Sequence, residues 1–523
     1  MTLTRRMLLE HIGRAGGLGA AYVAMETLGL SAPTPAGAEN FKLPSASGKG
    51  RSVVILGAGI AGLVSAYELS RAGYRVSVLE ARDRIGGRSW TIRRGDRIVQ
   101  HGRPDQIAGF SPGLYFNAGA ARIPSTHRVM IGYARRFGVA LEPFINSNRN
   151  APWDFGGKAY PERRRVEDLR GLMAELLAKA IDQRALDEAM PKDELALIRE
   201  FLVPYGPLNT AGKYEPTGSS GYMVEPGGYA QSPVPLPPLG FRDLAPPRAI
   251  GLPYLFEHLP DMQATMVQPV GGMDRIARAI YERIKELVRL EAPVTGIHRT
   301  ERGVRIEHGP SGRTTQADFC ICTLPLPILS RINSDFSSAK KAAIGSAPTY
   351  LKSVKVAFES PRFWEAEDDI FGGLAWTDRL NENVIYPPND FGAERGILVG
   401  AYCSGWTRPE NPDAFASLSH EQRFKITRQS IEALHPGKSR LLARDLTVAW
   451  GLTPYSEGVT AMWNDGSGLT PRPPLYKELL RPEGPILFAG EHLSFQPAWQ
   501  EGAALSAHEA IKLVSAMARE RSA

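Results

Sequence analysis

The sequence predicts a multi-domain fold of α/β class, α+β in its domain arrangement, whose first domain is Rossmann-like. The chain of 523 residues is longer than one ordinary domain. From residue 51, RSVVILGAGIAGLVSAYELSRAGYRVSVLEA runs through an apolar stretch, a glycine turn, a helical period and a second apolar stretch. A further strand–loop–helix pattern, GPILFAGEHL followed by EGAALSAHEAIKLVSAMA, comes near the end. With 43% hydrophobic and 22% charged residues, the composition is that of a globular protein.

The N-terminal segment has the features of an export signal. Arg5 and Arg6 precede an apolar stretch that ends in the small residues PAGA. We therefore predict a twin-arginine signal over residues 1–38, the twin-arginine translocase as a partner during export, and a periplasmic or secreted mature protein. The apolar part is only about 15 residues long and contains Glu26, so no stable membrane span is expected. An amphipathic first helix is the alternative.

Charge and cysteine content narrow the function classes. The net charge is +7, but the basic residues are spread along the chain without a Lys/Arg block, which weighs against a nucleic-acid partner. Three cysteines cannot make a disulfide framework. Cys320 and Cys322 alternate in ADFCICTLPL, which is typical of a strand, so buried packing on one face is expected and no metal site is predicted.

A glycine motif predicts a dinucleotide site in the first domain. Gly57, Gly59 and Gly62 form G-x-G-x-x-G directly between the predicted strand and helix. The first glycine permits the turn, the second lets a pyrophosphate approach the backbone, and the third allows close packing. Glu80 ends the second strand, where ribose hydroxyls can donate to it. The predicted contacts here are Gly57, Ala58, Gly59, Ile60, Ala61, Gly62, Glu80, Ala81 and Arg82. Ordinary glycine turns are the alternative.

Further motifs give the sequence a family resemblance. EARDRIGGRSWT places Gly86, Gly87 and Arg88 shortly after Glu80, where backbone and guanidinium can meet a second phosphate. Together with ILFAGEH and EGAALSAHEA near the end, this pattern resembles the flavin amine oxidase superfamily, in scattered motifs over residues 51–515. The resemblance implies FAD bound in a domain of the glutathione-reductase type. HLSFQPAWQEG lacks the cysteine that tethers FAD in monoamine oxidases, so non-covalent FAD is expected.

The same resemblance implies the other FAD contacts and a domain plan. Glu491 would meet the ribityl–pyrophosphate region and Val294 the adenine. The further implied contacts are Gly87, Arg88, Gly119, Ala120, Ala121, Arg122, Gly490, Trp499 and Ala503. The predicted division is a linker over 39–50; a discontinuous FAD-binding domain over 51–125, 268–335 and 475–523; a helical domain over 126–225; and a mixed-sheet substrate domain over 226–267 and 336–474.

One arginine points to the substrate class. Within the superfamily, NAGAARIP most resembles the L-amino-acid oxidase branch, whose motif has an arginine before a hydrophobic–proline pair. By that match Arg122 would bind the substrate α-carboxylate as a bidentate fork. Tyr386, in NENVIYPPND, would donate its hydroxyl to the other carboxylate oxygen. The alternatives are a structural ion pair for Arg122 and a core aromatic for Tyr386.

Two more positions complete the implied catalytic set of Arg122, Tyr386, Lys355 and Trp499. Ala498 and Trp499 would line the re face of the flavin and bind substrate, or the tryptophan would simply pack in the core. Lys355 matches the lysine that reaches the flavin N5 through water, with Lys352 as a competitor because the spacing is imperfect. The helical segment offers only His127, and no histidine base is predicted.

The resemblance thus implies oxidative deamination of an L-amino acid by hydride transfer from Cα to flavin N5. The products would be a keto acid, ammonia and hydrogen peroxide, with O₂ as acceptor and a homodimer or higher homo-oligomer as the assembly. Three alternatives stay open: an amide-forming amino-acid monooxygenase, a primary amine or polyamine oxidase, and a flavin-binding protein without turnover. The preferred amino acid is not predicted.

Overall fold

The structure is a computed structural model. It describes residues 41–44, 46–48, 50–244, 251–259, 261–262, 265–346, 349–463 and 474–520. The predicted export signal lies outside the described residues. Within them, no helix is long and apolar enough to cross a membrane.

A five-stranded parallel sheet forms the centre of the first domain. Its strands come from distant parts of the chain, in the spatial order Val288–Arg289, Arg75–Leu79, Ser52–Leu56, Phe319–Cys322 and Ile486–Phe488. The long helices Ile60–Arg71 and Gln500–Glu520 pack against each other beside it. Helices cover a parallel sheet on its faces, which is why its strands are continuous apolar runs such as SVVIL.

The cysteines of this sheet are packing residues, as the sequence predicts. Cys320 and Cys322 lie in one hydrophobic core, whereas Phe319 and Ile321, which alternate with them, lie in the core on the opposite face. Burial raises the pKa of the Cys322 thiol to about 12, so it stays protonated.

A seven-stranded mixed sheet forms the second large layer. Its spatial order is Lys158–Pro161, Pro152–Phe155, Leu374–Thr377, Asn383–Ile385, Arg395–Cys403, Val354–Pro361 and Ala443–Ala449. Residues 152–161 therefore belong to this sheet, although the sequence placed them in the helical segment 126–225. Gly156 and Gly157, both at positive φ, close a hairpin here, and such a two-residue glycine loop is a hairpin signal that could have been used.

Smaller sheets and helices fill the remaining chain. The three-stranded sheet is Ile123–Pro124, Met266–Pro269 and Leu141–Phe144, and the four-stranded one is Arg313–Ala317, Val304–His308, Val294–Arg299 and Asn333–Ser334. The strand pairs are Thr91–Arg93 with Tyr115–Asn117, Arg97–Ile98 with Gln106–Ile107, Tyr222–Val224 with Val234–Pro235, and Thr349–Leu351 with Thr460–Met462. The other α-helices are Arg128–Arg136, Glu162–Asp182, Lys192–Tyr205, Phe241–Leu244, Leu252–Leu255, Arg275–Tyr281, Leu326–Leu329, Ser338–Gly345, Phe363–Ala366, Asn411–Ser417, His420–Leu434 and Pro474–Leu480. The short 3₁₀ turns are Gly218–Ser220, Phe256–His258, Lys285–Leu287, Ser439–Leu441, Trp450–Leu452 and Glu491–Leu493.

The segment predicted as a polar linker, 39–50, is docked where the structure describes it. Phe41 is buried, and its ring stacks on His508 of the last long helix with centroids 3.8 Å apart. Gly48 N donates to Ala72 O at 3.1 Å. One aromatic residue in a polar stretch is a weak sequence signal, which is why the docking was missed. The division into three domains stays a prediction, and the strand Met266–Pro269 crosses one of its proposed boundaries.

Candidate active site

A cavity of about 760 Å³ opens beyond the carboxyl end of the strand Ser52–Leu56, the usual place for a ligand in a parallel sheet. Its walls come from loops that follow the strands of the five-stranded sheet, from the strands Val354–Pro361 and Arg395–Cys403, and from the last long helix. Most of the predicted site residues line it: Gly57, Gly59, Ile60, Ala61, Glu80, Ala81, Arg82, Gly87, Arg88, Gly119, Ala120, Ala121, Arg122, Val294, Lys355, Gly490, Glu491, Ala498, Trp499 and Ala503. The fold thus gathers at one cavity residues that lie hundreds of positions apart.

The glycine loop has the shape that a dinucleotide needs. Gly57 adopts φ +98°, and a Cβ on Gly62 would lie 1.9 Å from Gly57 O, so the turn and the close helix packing both require glycine. A Cβ on Gly59 would meet nothing within 4 Å, because this glycine faces the open cavity. Ala58 and Gly62 do not line the cavity, unlike the other predicted loop residues. The helix from Ile60 directs its free amides toward the cavity.

Glu80 has a structural role in addition to its predicted contact with the ribose. Its carboxylate accepts the amides of Ala58 at 2.7 Å and Arg82 at 3.0 Å, and so fixes the glycine loop to the end of the second strand. It also lines the cavity, where its remaining lone pairs are available to hydroxyl donors. Val294 also lines the cavity.

An ion pair between the half-buried Arg88 and the buried Glu491 joins the early and late parts of the site. Arg88 Nη1 donates to Glu491 Oε1 at 2.8 Å and to Val459 O at 2.7 Å. The other oxygen of Glu491 accepts Thr460 Oγ1 at 2.9 Å and Ala498 N at 3.0 Å. Burial alone would raise the pKa of Glu491, but the Arg88 charge and these donors hold it below its usual value. The carboxylate is therefore ionised and fully engaged.

Arg122 is a buried cation without an acidic partner among the described residues. It is 6% exposed, and its Nη2 lies 3.3 Å from Met262 Sδ. The rings of Phe144 and Phe256 each lie 5.6 Å from its Cζ, while its buried Nε has no hydrogen-bond partner. Burial lowers the pKa of Arg122 from its ordinary value. A desolvated, half-satisfied guanidinium beside a cavity is a site for an anion.

Lys355, not Lys352, faces the cavity. Its Nζ donates to Asn117 O at 3.0 Å and Gly119 O at 2.7 Å. Burial, and then the nearby Arg122 charge, lower the pKa of Lys355 to about 7. Lys352 lies at the surface and donates to Asp413 at 2.6 Å.

The structure places Tyr386 away from the cavity, so its expected contact with the substrate carboxylate is corrected. The side chain is fully buried, and its hydroxyl lies 2.6 Å from Nε2 of His435, whose Nδ1 lies 2.9 Å from Asp368 Oδ2. The physical reason is strand alternation. Ile385 packs on the cavity side with Phe256, whereas Tyr386 turns into the core on the opposite face of the sheet.

Trp499 and Ala498 both stand on the cavity wall. Trp499 Nε1 donates to Asp261 Oδ2 at 3.2 Å, and its ring meets His127 edge-on with centroids 5.0 Å apart. Burial raises the pKa of the Asp261 carboxyl, which the indole donor opposes. Burial also lowers the pKa of His127 to about 4, so this histidine is neutral behind the tryptophan. Ala498 adopts φ +71°, which turns its amide onto Glu491.

The sequence analysis missed many of the residues that line the cavity, among them Asp261, Met262, Tyr402 and Trp406. Tyr402 pairs directly with Lys355 across two antiparallel strands, and its ring lies 4.8 Å from Lys355 Nζ. A correct prediction of this strand register would have identified Tyr402, because directly paired residues on neighbouring strands lie on the same face of the sheet. Met262 and Asp261 follow a Pro-rich stretch that carries no periodic signal.

Comparison with known proteins agrees with this geometry. Residues 60–514 match the family model described as flavin containing amine oxidoreductase. The chain therefore belongs to that family, and FAD is its cofactor. The cavity is in keeping with this, because the glycine loop, the first residues of the helices Ile60–Arg71 and Gln500–Glu520, and Arg88 all line it.

Relatives and solved structures extend the comparison. An L-amino-acid oxidase of Siganus canaliculatus is 29% identical over 468 residues, covering 87% of this chain and 83% of that protein. An L-amino-acid oxidase of Mus musculus is 30% identical over 481 residues, covering 88% and 70%. The cyclohexylamine oxidase from Brevibacterium oxydans IH-35A superposes with a TM-score of 0.58 at 20% identity, covering 89% of this chain and 99% of that one. At that identity the likeness shows the fold.

The lowered pKa of Lys355 predicts a pH dependence of stability. Because its pKa is about 7 in the folded protein and near 10.5 when exposed, the cost of burying it is fully present below pH 7 and disappears as the pH rises through 10.5. The melting temperature of the wild type should therefore rise, relative to that of Lys355→Met, between about pH 7 and pH 10.

The surface variant Lys352→Met serves as the control, since its side chain is exposed. Its melting temperature should follow that of the wild type at every pH. Parallel curves for the wild type and Lys355→Met would contradict a lowered pKa at Lys355.

Proposed function

We propose that the protein is an FAD-dependent L-amino-acid oxidase that converts an L-amino acid to its keto acid, with ammonia and hydrogen peroxide as the other products. The observation that carries the proposal is Arg122, a buried guanidinium that lines the cavity and has no acidic partner among the described residues. An amino acid brings a carboxylate to such a group, whereas a simple amine brings only a positive charge. The similarity to L-amino-acid oxidases supports the same choice.

FAD is held without a covalent bond in this proposal. The three cysteines are buried, and none of them is among the residues that line the described cavity. The glycine loop and the amides of the helix from Ile60 bind the pyrophosphate, and Glu80 accepts from the ribose. When bound, the flavin accepts a hydride from the substrate Cα and passes the electrons to O₂.

The side chains of the chain itself bind and orient the substrate. Arg122 donates two parallel hydrogen bonds to the α-carboxylate, which fixes one end of the molecule. Trp499 and the adjoining Ala498 form the wall against which the α-amino group lies, so that one Cα–H is presented for oxidation. Lys355, with its pKa near neutrality, holds or releases a proton at Nζ. Tyr386 has no part in this arrangement.

Two enzymatic alternatives are separated by the products. An amino-acid monooxygenase would share the carboxylate contact but release an amide and CO₂, whereas an amine or polyamine oxidase would act on decarboxylated amines. The experiment is a panel of L-amino acids and their amines, assayed for ammonia, hydrogen peroxide, amide and CO₂. We expect ammonia and peroxide in equal amounts from L-amino acids only. A flavin-loaded protein that no amino acid reduces without O₂ would contradict the proposal.

Export and assembly are further parts of the proposal. Arg5 and Arg6 support passage through the twin-arginine translocase to the periplasm or the medium. A homodimer or higher homo-oligomer is supported by exposed apolar side chains on the two helices of residues 162–205, among them Leu176, Leu197 and Phe201.

Substitution of Arg122 tests the carboxylate contact directly. Arg122→Met should raise KM for L-amino acids by about 10- to 150-fold, the equivalent of about 1.5–3 kcal/mol for a charged hydrogen-bonded contact. The flavin content should stay at the wild-type level, since other residues hold the dinucleotide. Arg122→Lys should recover only part of the loss, because an ammonium lacks the planar fork.

The control is Arg165→Met, which removes a second fully buried arginine that contacts backbone carbonyls away from the cavity. It should lower the melting temperature and leave KM unchanged. An Arg122→Met protein that loses FAD but keeps its KM would show that the arginine serves the cofactor instead.

A further inference from the structure

A buried carboxylate outside the cavity holds one of the cavity walls. Glu382 lies in the turn between the strands Leu374–Thr377 and Asn383–Ile385, and it is fully buried. Its φ is +56°, a left-handed conformation that is unfavourable for glutamate. Such strain persists only where the surrounding structure enforces it. The contacts of the Glu382 side chain show what does so.

The carboxylate of Glu382 accepts six hydrogen bonds from one loop and the helix that follows it. Its Oε2 accepts the backbone amides of Ser404 at 2.8 Å, Gly405 at 2.9 Å and Trp406 at 3.1 Å. Its Oε1 accepts Thr407 N at 3.4 Å, Thr407 Oγ1 at 3.1 Å and Asn411 Nδ2 at 2.9 Å. No Lys, Arg or His among the described residues pairs with it, so successive backbone amides balance the charge, as in an anion-binding nest.

The loop that Glu382 holds, residues 404–407, forms part of the cavity wall. Ser404, Gly405 and Trp406 all line the cavity. The ring of Trp406 meets Phe256 edge-on with centroids 6.1 Å apart, and Phe256 in turn lies against the Arg122 guanidinium. The loop thus places an indole beside the residues that surround the proposed carboxylate anchor.

We propose that Glu382 is a positioning residue for substrate selection. It holds the 404–407 loop so that Trp406 forms the wall against which a large apolar or aromatic substrate side chain packs. This inference rests on the proposed function, since it takes Arg122 as the point where the amino acid is fixed. Because Phe256 lies between Arg122 and Trp406, we expect a large side chain of an amino acid fixed at Arg122 to contact Trp406 and a methyl group to fall short of it.

The test uses Glu382→Gln, which keeps the shape of the side chain but removes the negative charge and leaves one acceptor oxygen for the loop amides. In the flavin-loaded enzyme, kcat/KM for L-phenylalanine should fall about tenfold or more relative to kcat/KM for L-alanine, the size of a lost apolar contact. Hydrogen exchange at the amides of residues 404–407 should become faster.

Glu359 offers a matched control. It is a buried carboxylate in the same sheet, it accepts Ser111 N and Oγ at 2.8 Å and Arg395 Nε at 2.7 Å, and it does not line the cavity. Glu359→Gln should lower the melting temperature and speed exchange at Ser111 without changing the ratio between the two substrates. An equal loss of kcat/KM for both substrates in Glu382→Gln, or unchanged exchange in the loop, would overturn the proposal.

Two further variants test the proposal if Glu382→Gln folds poorly. Asn411→Ala removes one donor to the same carboxylate and should shift the substrate ratio in the same direction by a smaller factor. Trp406→Ala should reproduce the selective loss for L-phenylalanine with Glu382 intact, and unchanged selectivity in that variant would contradict the proposed wall. Failure of the proposed function would look different: the wild type would oxidise neither amino acid, while faster exchange in Glu382→Gln would still show that the carboxylate holds the loop.

Discussion

The ion pair between Arg88 and Glu491 is the interaction on which the site depends. It links two positions 403 residues apart and, through the second carboxylate oxygen, also fixes Thr460 and Ala498. Three stretches of chain therefore meet at one charged contact. Removing Arg88 would leave the buried Glu491 carboxylate without its opposite charge, which costs about 3–5 kcal/mol. The contact holds the segment 491–498 beside Arg88 on the cavity wall.

Arg122 is different, because its charge is not balanced by a carboxylate of the described chain. Met262, Phe144 and Phe256 surround it with sulfur and aromatic faces, which attract a cation weakly. Nη2 donates to Met262 Sδ, but the buried Nε has no hydrogen-bond partner. A protein that buries a cation in this way loses stability unless a ligand supplies the anion. The two arginines thus have different roles in the cavity. Arg88 maintains the structure of the cavity wall, and Arg122 is available to bind a ligand. Lys355, with its pKa lowered to about 7, carries only part of a positive charge near neutral pH.

Sequence reasoning succeeded where the signal was local. Gly57, Gly59 and Glu80 lie in one strand–turn–helix–strand unit whose geometry is fixed by neighbouring residues, and the structure has that unit. The predicted substrate contact of Tyr386 was wrong because a shift of one position along a strand decides which face of the sheet a side chain lies on. The sequence does not reveal that register. Tyr402 and Glu382 were missed for a related reason, since their roles arise from pairing and turns that bring together residues far apart in the chain. The packing of Phe41 on His508 was missed for the same reason, because these two residues also lie far apart in the chain.

The most direct measurement is the binding of two substrate fragments to the flavin-loaded enzyme. Phenylpropionate keeps the carboxylate and lacks the amine, whereas phenylethylamine keeps the amine and lacks the carboxylate. If Arg122 binds the carboxylate, phenylpropionate should inhibit L-phenylalanine oxidation competitively in the wild type and much more weakly in Arg122→Met, while phenylethylamine should bind weakly to both. Inhibition by phenylpropionate that is the same in the wild type and in Arg122→Met would contradict the account.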